Sequence, residues 1–462
     1  LIMSDKPISQ TVHPKAKEHY MRKKILGRII SAVTAVVLSG AAPAAGGTAD
    51  ILRNTVVFAE ESNESVKYLD REWTKENGIT TLQKTCTEYT KLSNLSDSIG
   101  VAMKDGWYVV DKNITFNNRL GVLGDVHLII RDGCTLTCKD GIRLATKNPG
   151  QSASTVKLSI YSQSDENDSM GILKADATAD GTDDTKKAGI GGDENETGGT
   201  VSIYGGNITA KGEIFGAGIG GGKDANGGIV NIYGGIVNAI AGSDGAAIGG
   251  GIHGATSWVE NRSGINIYGG ETYATGHGFG AAIGSGETIP DEKRSDLSEI
   301  HIYGGYVEAN AEVGGAAIGG GAHMENPVIY IHDGVVRAEA AKIYEDGNYY
   351  GAGIGSGSDA PYTDKIFIYD GLVFATSSDG AGIGSGRNSK GGDIYIDGGY
   401  VTAIAEGGGA AIGSGRDADN GYVLIEGGTV IAVSEMCIEK SEYLKHMISY
   451  YSPASNKGKC IP

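Results

Sequence analysis

The stretch Val201–Gly222, VSIYGGNITAKGEIFGAGIGGG, decides the fold. Val201, Ile203, Ile208 and Ala210 alternate with Ser202, Tyr204, Asn207 and Thr209, which is the period of a strand with one buried face. Gly205-Gly206 breaks the alternation where the chain must turn a corner, and a third short apolar run at Ile219 is flanked by glycines. Three short strands joined by glycine corners describe one rung of a parallel β-helix.

The stretch recurs. Aligned on the Ile of the Ile-X-Gly-Gly step, copies stand at Ile203, Ile232, Ile267, Ile302, Ile331, Ile368, Ile396 and Ile425, with spacings of 29, 35, 35, 29, 37, 28 and 29. A second landmark inside Gly-Ala-X-Ile-Gly-X-Gly keeps the same beat from Ile190 through Ile219 to Ile412. Two landmarks in step define an array of about eight regular rungs of ~29 residues. Stacking such rungs places like residues in ladders. One inward ladder is alanine (Ala210, Ala239, Ala274, Ala309, Ala338, Ala375, Ala403, Ala432). Its neighbour is β-branched (Ile208, Val237, Thr272, Val307, Val336, Val373, Val401, Val430).

The rest of the chain is read against this array. Residues 1–20 precede a more natural start at Met21 and are taken as a leader foreign to the protein. Residues 21–45, with Arg22, Lys23, Lys24 and Arg28 before an apolar run and Ala42-Pro43-Ala44, read as a secretory signal peptide. Residues 46–105 form an irregular N-terminal segment in which Trp73 and Tyr89 serve as anchors. Residues 106–198 are cap and irregular first rungs, 199–433 the regular array, and 434–462 a C-terminal cap or tail. In that tail Leu444, Met447, Ile448 and Tyr451 fall at helical spacing. Insertions at Ile252–Ser263, Glu287–Leu297 and Ala341–Tyr350 lengthen three loops, where a repeat scaffold carries function.

Composition excludes some classes. A formal net charge of −17 argues against a nucleic-acid partner. The 76 glycines belong to corners, and 40% hydrophobic residues suffice for a core. Outside 21–45 no stretch is long and apolar enough to span a bilayer. Five cysteines (Cys86, Cys134, Cys138, Cys437, Cys460) show no zinc spacing. Cys134 and Cys138 lie about 13 Å apart along one predicted strand, too far to bridge each other. A bridge between Cys437 and Cys460 would tie down the tail. The glycine-rich Gly216–Gly222 opens no helix and recurs every rung, so it is a corner and not a dinucleotide site. No Ser-His-Asp order, histidine cluster or phosphate loop is legible.

The outward residues carry the candidate site. At the X of Ile-X-Gly-Gly stand Tyr204, Tyr233, Tyr268, Tyr303, His332, Tyr369, Asp397 and Glu426. Across the corner stand Tyr273, Tyr306, Phe374 and Tyr400, read as one outward group. Aromatic rings with phenolic hydroxyls suit the apolar faces and hydroxyl rims of sugars, and period-matched aromatics also stabilise a sheet face by stacking on one another. Tyr268, Tyr273, Tyr303, Tyr306, Tyr369, Phe374 and Tyr400 are the glycan-contact candidates. Arg387 and Arg416, in the place Lys223 holds earlier, add cationic grip for an anionic glycan or balance Asp417 and Asp419. Asp417-Ala-Asp419-Asn420-Gly421 resembles the start of a calcium loop without its distal Glu, which makes Asp417 and Asp419 the metal candidates and Ca2+ the cofactor to test. Asp176, Asp180, Asp183, Asp184 and Asp193 are a second acidic group, where solvated loop competes with cation binding.

The phrase GDVHLIIRDGCTLT, then GILKADA and tandem IYGG…A…GAGIGGG units, resembles the secreted glycine-rich repeat proteins of low-GC Gram-positive bacteria. More loosely, it is similar to pectate-lyase-like and carbohydrate-binding β-helices. The resemblance covers roughly residues 66–433. It implies an all-β, right-handed parallel β-helix (a solenoid) at the cell surface or secreted. The expected function is binding of a polysaccharide or host or matrix glycan, or adhesion, without catalysis. The alternatives are a calcium-assisted polysaccharide lyase or hydrolase, and a passive surface spacer. β-Helix lyases combine an acidic calcium cluster with a catalytic Arg or Lys in one groove, a set that does not map residue by residue here.

Overall fold

A computed structural model describes residues 64–144, 156–178, 186–257, 263–289, 296, 298–340, 350–363, 365–419, 421–434 and 449–450. Residues 1–45, read above as leader and signal peptide, and Cys437 and Cys460 lie outside the described residues.

The array is a parallel β-helix with three strands to a rung. In the rung of the opening stretch these are Thr200–Ile203, Asn207–Lys211 and Ile219–Gly220. Successive rungs pair in parallel along three faces, named here by their defining residues. The tyrosine face carries the Thr200–Ile203 series, from Lys157–Ser162 to Val423–Ile425. The alanine face carries the Asn207–Lys211 series, from Ile114–Phe116 through Thr135–Cys138 to Thr429–Ser434. The glycine face carries the two-residue Ile-Gly strands down to Ile412–Gly413. Among the described residues the only helical turn is the short 3-10 segment Leu92–Asn94.

The inward ladders are in register residue for residue. Ile208 pairs with Val237, then Thr272, Val307, Val336, Val373, Val401 and Val430; Ala210 pairs in the same way down to Ala432. All but Val430 and Ala432, in the last rung, are buried. Stacked apolar side chains, each touching its like above and below, are what hold such an array together. The corners obey backbone sterics. Gly206, at the turn from tyrosine to alanine face, has φ 99°, where a side chain is strained. On the glycine face a Cβ on Gly249 would lie 1.8 Å from the Gly284 carbonyl oxygen, so the rungs approach too closely for any side chain.

Two features differ from the sequence reading. Within the segment expected to be irregular, Val66–Thr74 and Gly78–Cys86 form an antiparallel hairpin. It folds onto the tyrosine face, where Val66, Tyr68 and Cys86 bury themselves with Val109, Ile129 and Tyr161. Tyr89 packs against the same cluster, and its hydroxyl donates to the Glu64 carbonyl at 2.8 Å. The tail is not helical at its far end: Ser449–Tyr450 pairs antiparallel with Thr429–Ser434, extending the alanine face by one strand. Residues 435–448 lie outside the described residues. Irregular rungs precede the array: Thr90–Lys91 pairs in parallel with Ala102–Val110, which pairs with Leu120–Ile130. Cys86, Cys134 and Cys138 are free thiols.

Candidate functional site

The aromatic ladder of the tyrosine face is a stacked column. Tyr161, Tyr204, Tyr233, Tyr268, Tyr303, His332 and Tyr369 follow one another with centroids 4.4–5.3 Å apart and planes within 22°. Each ring therefore buries its faces against its neighbours and turns its edge and hydroxyl outward. Burial holds the phenols of Tyr204, Tyr233 and Tyr268 above their ordinary pKa, Tyr204 to about 12.

The hairpin closes part of this column. Trp73 lies 5.4 Å from Tyr268 and 4.3 Å from Tyr303. Arg71, 5% exposed, lies over the corner glycines Gly205 and Gly234 and pairs with Asp165. Tyr268 and Tyr303, expected to meet glycan, are thus covered by the chain itself. A face already stacked cannot take a sugar ring. Tyr369, 40% exposed, is the outermost phenol of the column.

A second column escaped the sequence reading. Two residues before the tyrosines, Ser202, Asn231 and Asn266 link by side-chain hydrogen bonds, and then His301, Tyr330, Phe367 and Tyr395 stack 4.6–5.0 Å apart. The columns meet at a histidine pair, His301 Nδ1 lying 3.2 Å from His332 Nε2. Glu299 takes the other nitrogen of His301 at 3.2 Å, which leaves Nδ1 to accept the shared proton from His332. Burial and the charges of His301 and Lys75 push His332 down to about 4.

The group across the corner divides into two rows. Tyr306 and Tyr400 begin their alanine-face strands and share a row with Glu271, Val335 and Leu372. Tyr273 and Phe374 stand two residues further on, in a row with Glu308, Arg337 and Thr402. The rings of Tyr273 and Tyr306 are 5.7 Å apart with planes at 50°, so the pair does not close its faces on itself. Tyr273 donates its hydroxyl to Glu271 at 3.0 Å and Tyr306 to Glu308 at 2.5 Å; burial and the Glu308 bond push the Tyr306 phenol up to about 12. Tyr400 is 43% exposed. Tilted rings interleaved with carboxylates can offer both stacking and acceptors to a bound hydroxyl-rich ligand.

Arg387 and Arg416 do occupy equivalent places, since Asn388 N donates to the Arg416 carbonyl just as Asp359 N does to that of Arg387. They stand at the opposite edge of the alanine face. Arg416 reaches Asp379 at 3.3 Å and lies over Gly408, beyond the far end of the Tyr400–Ala405 strand and roughly 20 Å from Tyr400 by strand rise. Asp417 pairs with Arg387 and Arg416 at 3.6 and 3.7 Å, an environment that repels a cation. The Asp419 main chain, by contrast, is held by Ser389 and Ser414. Asp193 pairs with Arg119 and Arg143, and Asp176 accepts from Thr178. Asp180, Asp183, Asp184 and Asn420 lie outside the described residues. Among those described, no group of three or more His, Cys, Asp or Glu could hold a metal ion.

The same edge, earlier in the array, gathers histidines that the sequence scatters. His253 meets Asp224 at 2.6 Å, His277 meets Glu312 at 2.8 Å, and His323 lies 3.9 Å from Glu287. Main-chain bonds tie them together: His253 N donates to the Glu287 carbonyl, Glu287 N to that of Asp244, and Asp244 N to that of His277. Burial and the Asp244 charge raise Glu287 to about 7.

Seven segments, 201–223, 230–252, 265–287, 300–322, 329–358, 368–387 and 394–416, match a family model described as a β-helix repeat. No curated protein and no solved structure matches the chain. Fold and repeat agree over residues 201–416, which are built of β-helix repeats. No helix among the described residues is long and apolar enough to cross a membrane.

Proposed function

We propose that this protein is exported, stands at the cell surface or in the medium, and binds a glycan on its alanine face without chemically altering it. The contacts are Tyr273, Tyr306, Phe374 and Tyr400, with Glu271 and Glu308 as hydrogen-bond acceptors. The observation that carries the reading is the contrast between the faces. Tyr273 and Tyr306 meet at 50° beside carboxylates, whereas the tyrosine-face rings stack within 22° and are partly roofed by Trp73. A glycan array probed with the full chain, with and without calcium, tests it. Retention without product formation supports binding, and silence on every glycan leaves a spacer.

One observation favours a second reading, hydrolysis. Glu287 titrates near neutrality beside His323, and a carboxyl still protonated there is what a general acid requires. Shortened products from any bound glycan, lost in Glu287→Gln, would carry that reading.

A further inference from the structure

Where the irregular rungs meet the first regular one, a lysine and an aspartate are held in contact inside the wall. Lys187 Nζ meets Asp140 Oδ1, 47 positions apart in the chain. Lys187 is 6% exposed at its side chain and Asp140 18%, and around them Cys138, Ile142, Ala188 and Ile190 are fully buried. Glu213, 2% exposed, comes from the next rung; its main-chain N donates to the Lys187 carbonyl at 3.0 Å and its carboxylate accepts from Lys187 N at 3.4 Å. Arg119 donates to the Asp140 carbonyl at 2.7 Å and to that of Ala188 at 2.9 Å.

We propose that Lys187 and Asp140 join in an intramolecular amide bond, with Glu213 as the proton carrier. The step begins as one proton passes from the Lys187 ammonium to the Asp140 carboxylate across their contact, which leaves an amine facing an acid. The Lys187 nitrogen pair attacks Asp140 Cγ, forming the Nζ–Cγ bond. Glu213 takes a proton from Nζ and passes it to the departing oxygen. The Cγ–O bond breaks and one water leaves with two of the three ammonium protons, so charge and atoms balance without a co-reactant. The Arg119 guanidinium offsets negative charge on the tetrahedral intermediate. Contact geometry enforced by the fold supplies the effective concentration that free side chains lack. The product staples the irregular rungs to the regular array at the junction.

Mass spectrometry of the purified full chain tests this. In the expected result, a tryptic digest contains one branched peptide joining the Asp140 and Lys187 segments, lighter by about 18 Da than their sum. That peptide is absent from Asp140→Ala. In Glu213→Gln the two segments separate at full mass while the circular dichroism stays that of a β-protein. Separate, full-mass segments from the natively folded parent would mean an ion pair only and overturn the proposal. A branched peptide persisting in Glu213→Gln would overturn the role given to Glu213. Should either variant fail to fold, the parent's digest alone decides whether the bond exists.

Discussion

The indole of Trp73 lies 4.3 Å from the ring of Tyr303, tilted by 45°, and so roofs the tyrosine column from outside the repeat. Trp73 is the penultimate residue of the Val66–Thr74 hairpin strand, 230 positions before Tyr303, and nothing in the 29-residue period announces the contact.

Replacing Trp73 with Ala strips this roof. The indole is half-buried, so the loss is expected at about 2–3 kcal/mol, below that of a core tryptophan. Urea unfolding should show it. Glycan retention should be unchanged, because Tyr273, Tyr306 and Tyr400 stand on another face.

The glycine face should tolerate no side chain. A Cβ on Gly284 would lie 1.8 Å from the Gly319 carbonyl oxygen, at φ 143°. Gly284→Ala is therefore expected to cost about 3 kcal/mol or more, well beyond an ordinary Gly-to-Ala exchange, read as soluble yield and midpoint of denaturation.

Glu287 makes the array less stable as pH rises. Its carboxyl is raised in the fold, so the folded chain holds a proton that the unfolded chain releases between the ordinary glutamate value and about 7. Stability contributed by this group is complete below that window and lost above it. Glu287→Gln should gain about 1–2 kcal/mol over the parent at pH 8, allowing for solvent screening, and little at pH 4. Denaturation midpoints at the two pH values check the sign.

His332 works in the opposite sense. Its folded value near 4 lies below that of a free imidazole, so its contribution is present at pH 7 and falls away as acid approaches pH 4. His332→Tyr puts the column's usual residue in its place. The variant should lose about 1–2 kcal/mol less than the parent between pH 7 and pH 4. Thermal melts across that range read the difference.

The rungs were legible because stacking imposes identity. Ala210 to Ala432 and Ile208 to Val430 must match their neighbours in size, so the period survives in the letters. Outward rows carry no such demand. Asn266 can stand next to His301, and Tyr330 next to Phe367, which is why the second column was overlooked although it keeps the same beat. The histidine edge was hidden differently. His253 and His323 come from the corner after the glycine face and His277 from the end of an alanine-face strand, so their sequence spacing has no single period. The hairpin was hidden most completely, since an antiparallel partner from outside the array repeats nothing. Among the glycan candidates, sequence identified the aromatic residues but not their tilt, and tilt separates the stacked column from the Tyr273–Tyr306 pair.

The most direct test compares the two faces in one binding experiment. The full chain, Tyr306→Ala/Tyr400→Ala and Tyr268→Ala would be measured by affinity electrophoresis against any glycan the array returns. The account predicts that the alanine-face pair loses at least tenfold in affinity with its unfolding midpoint nearly unchanged. It predicts that Tyr268→Ala destabilises the fold and binds as the parent does. Full binding by the Tyr306/Tyr400 variant, or binding lost only with Tyr268, would contradict it.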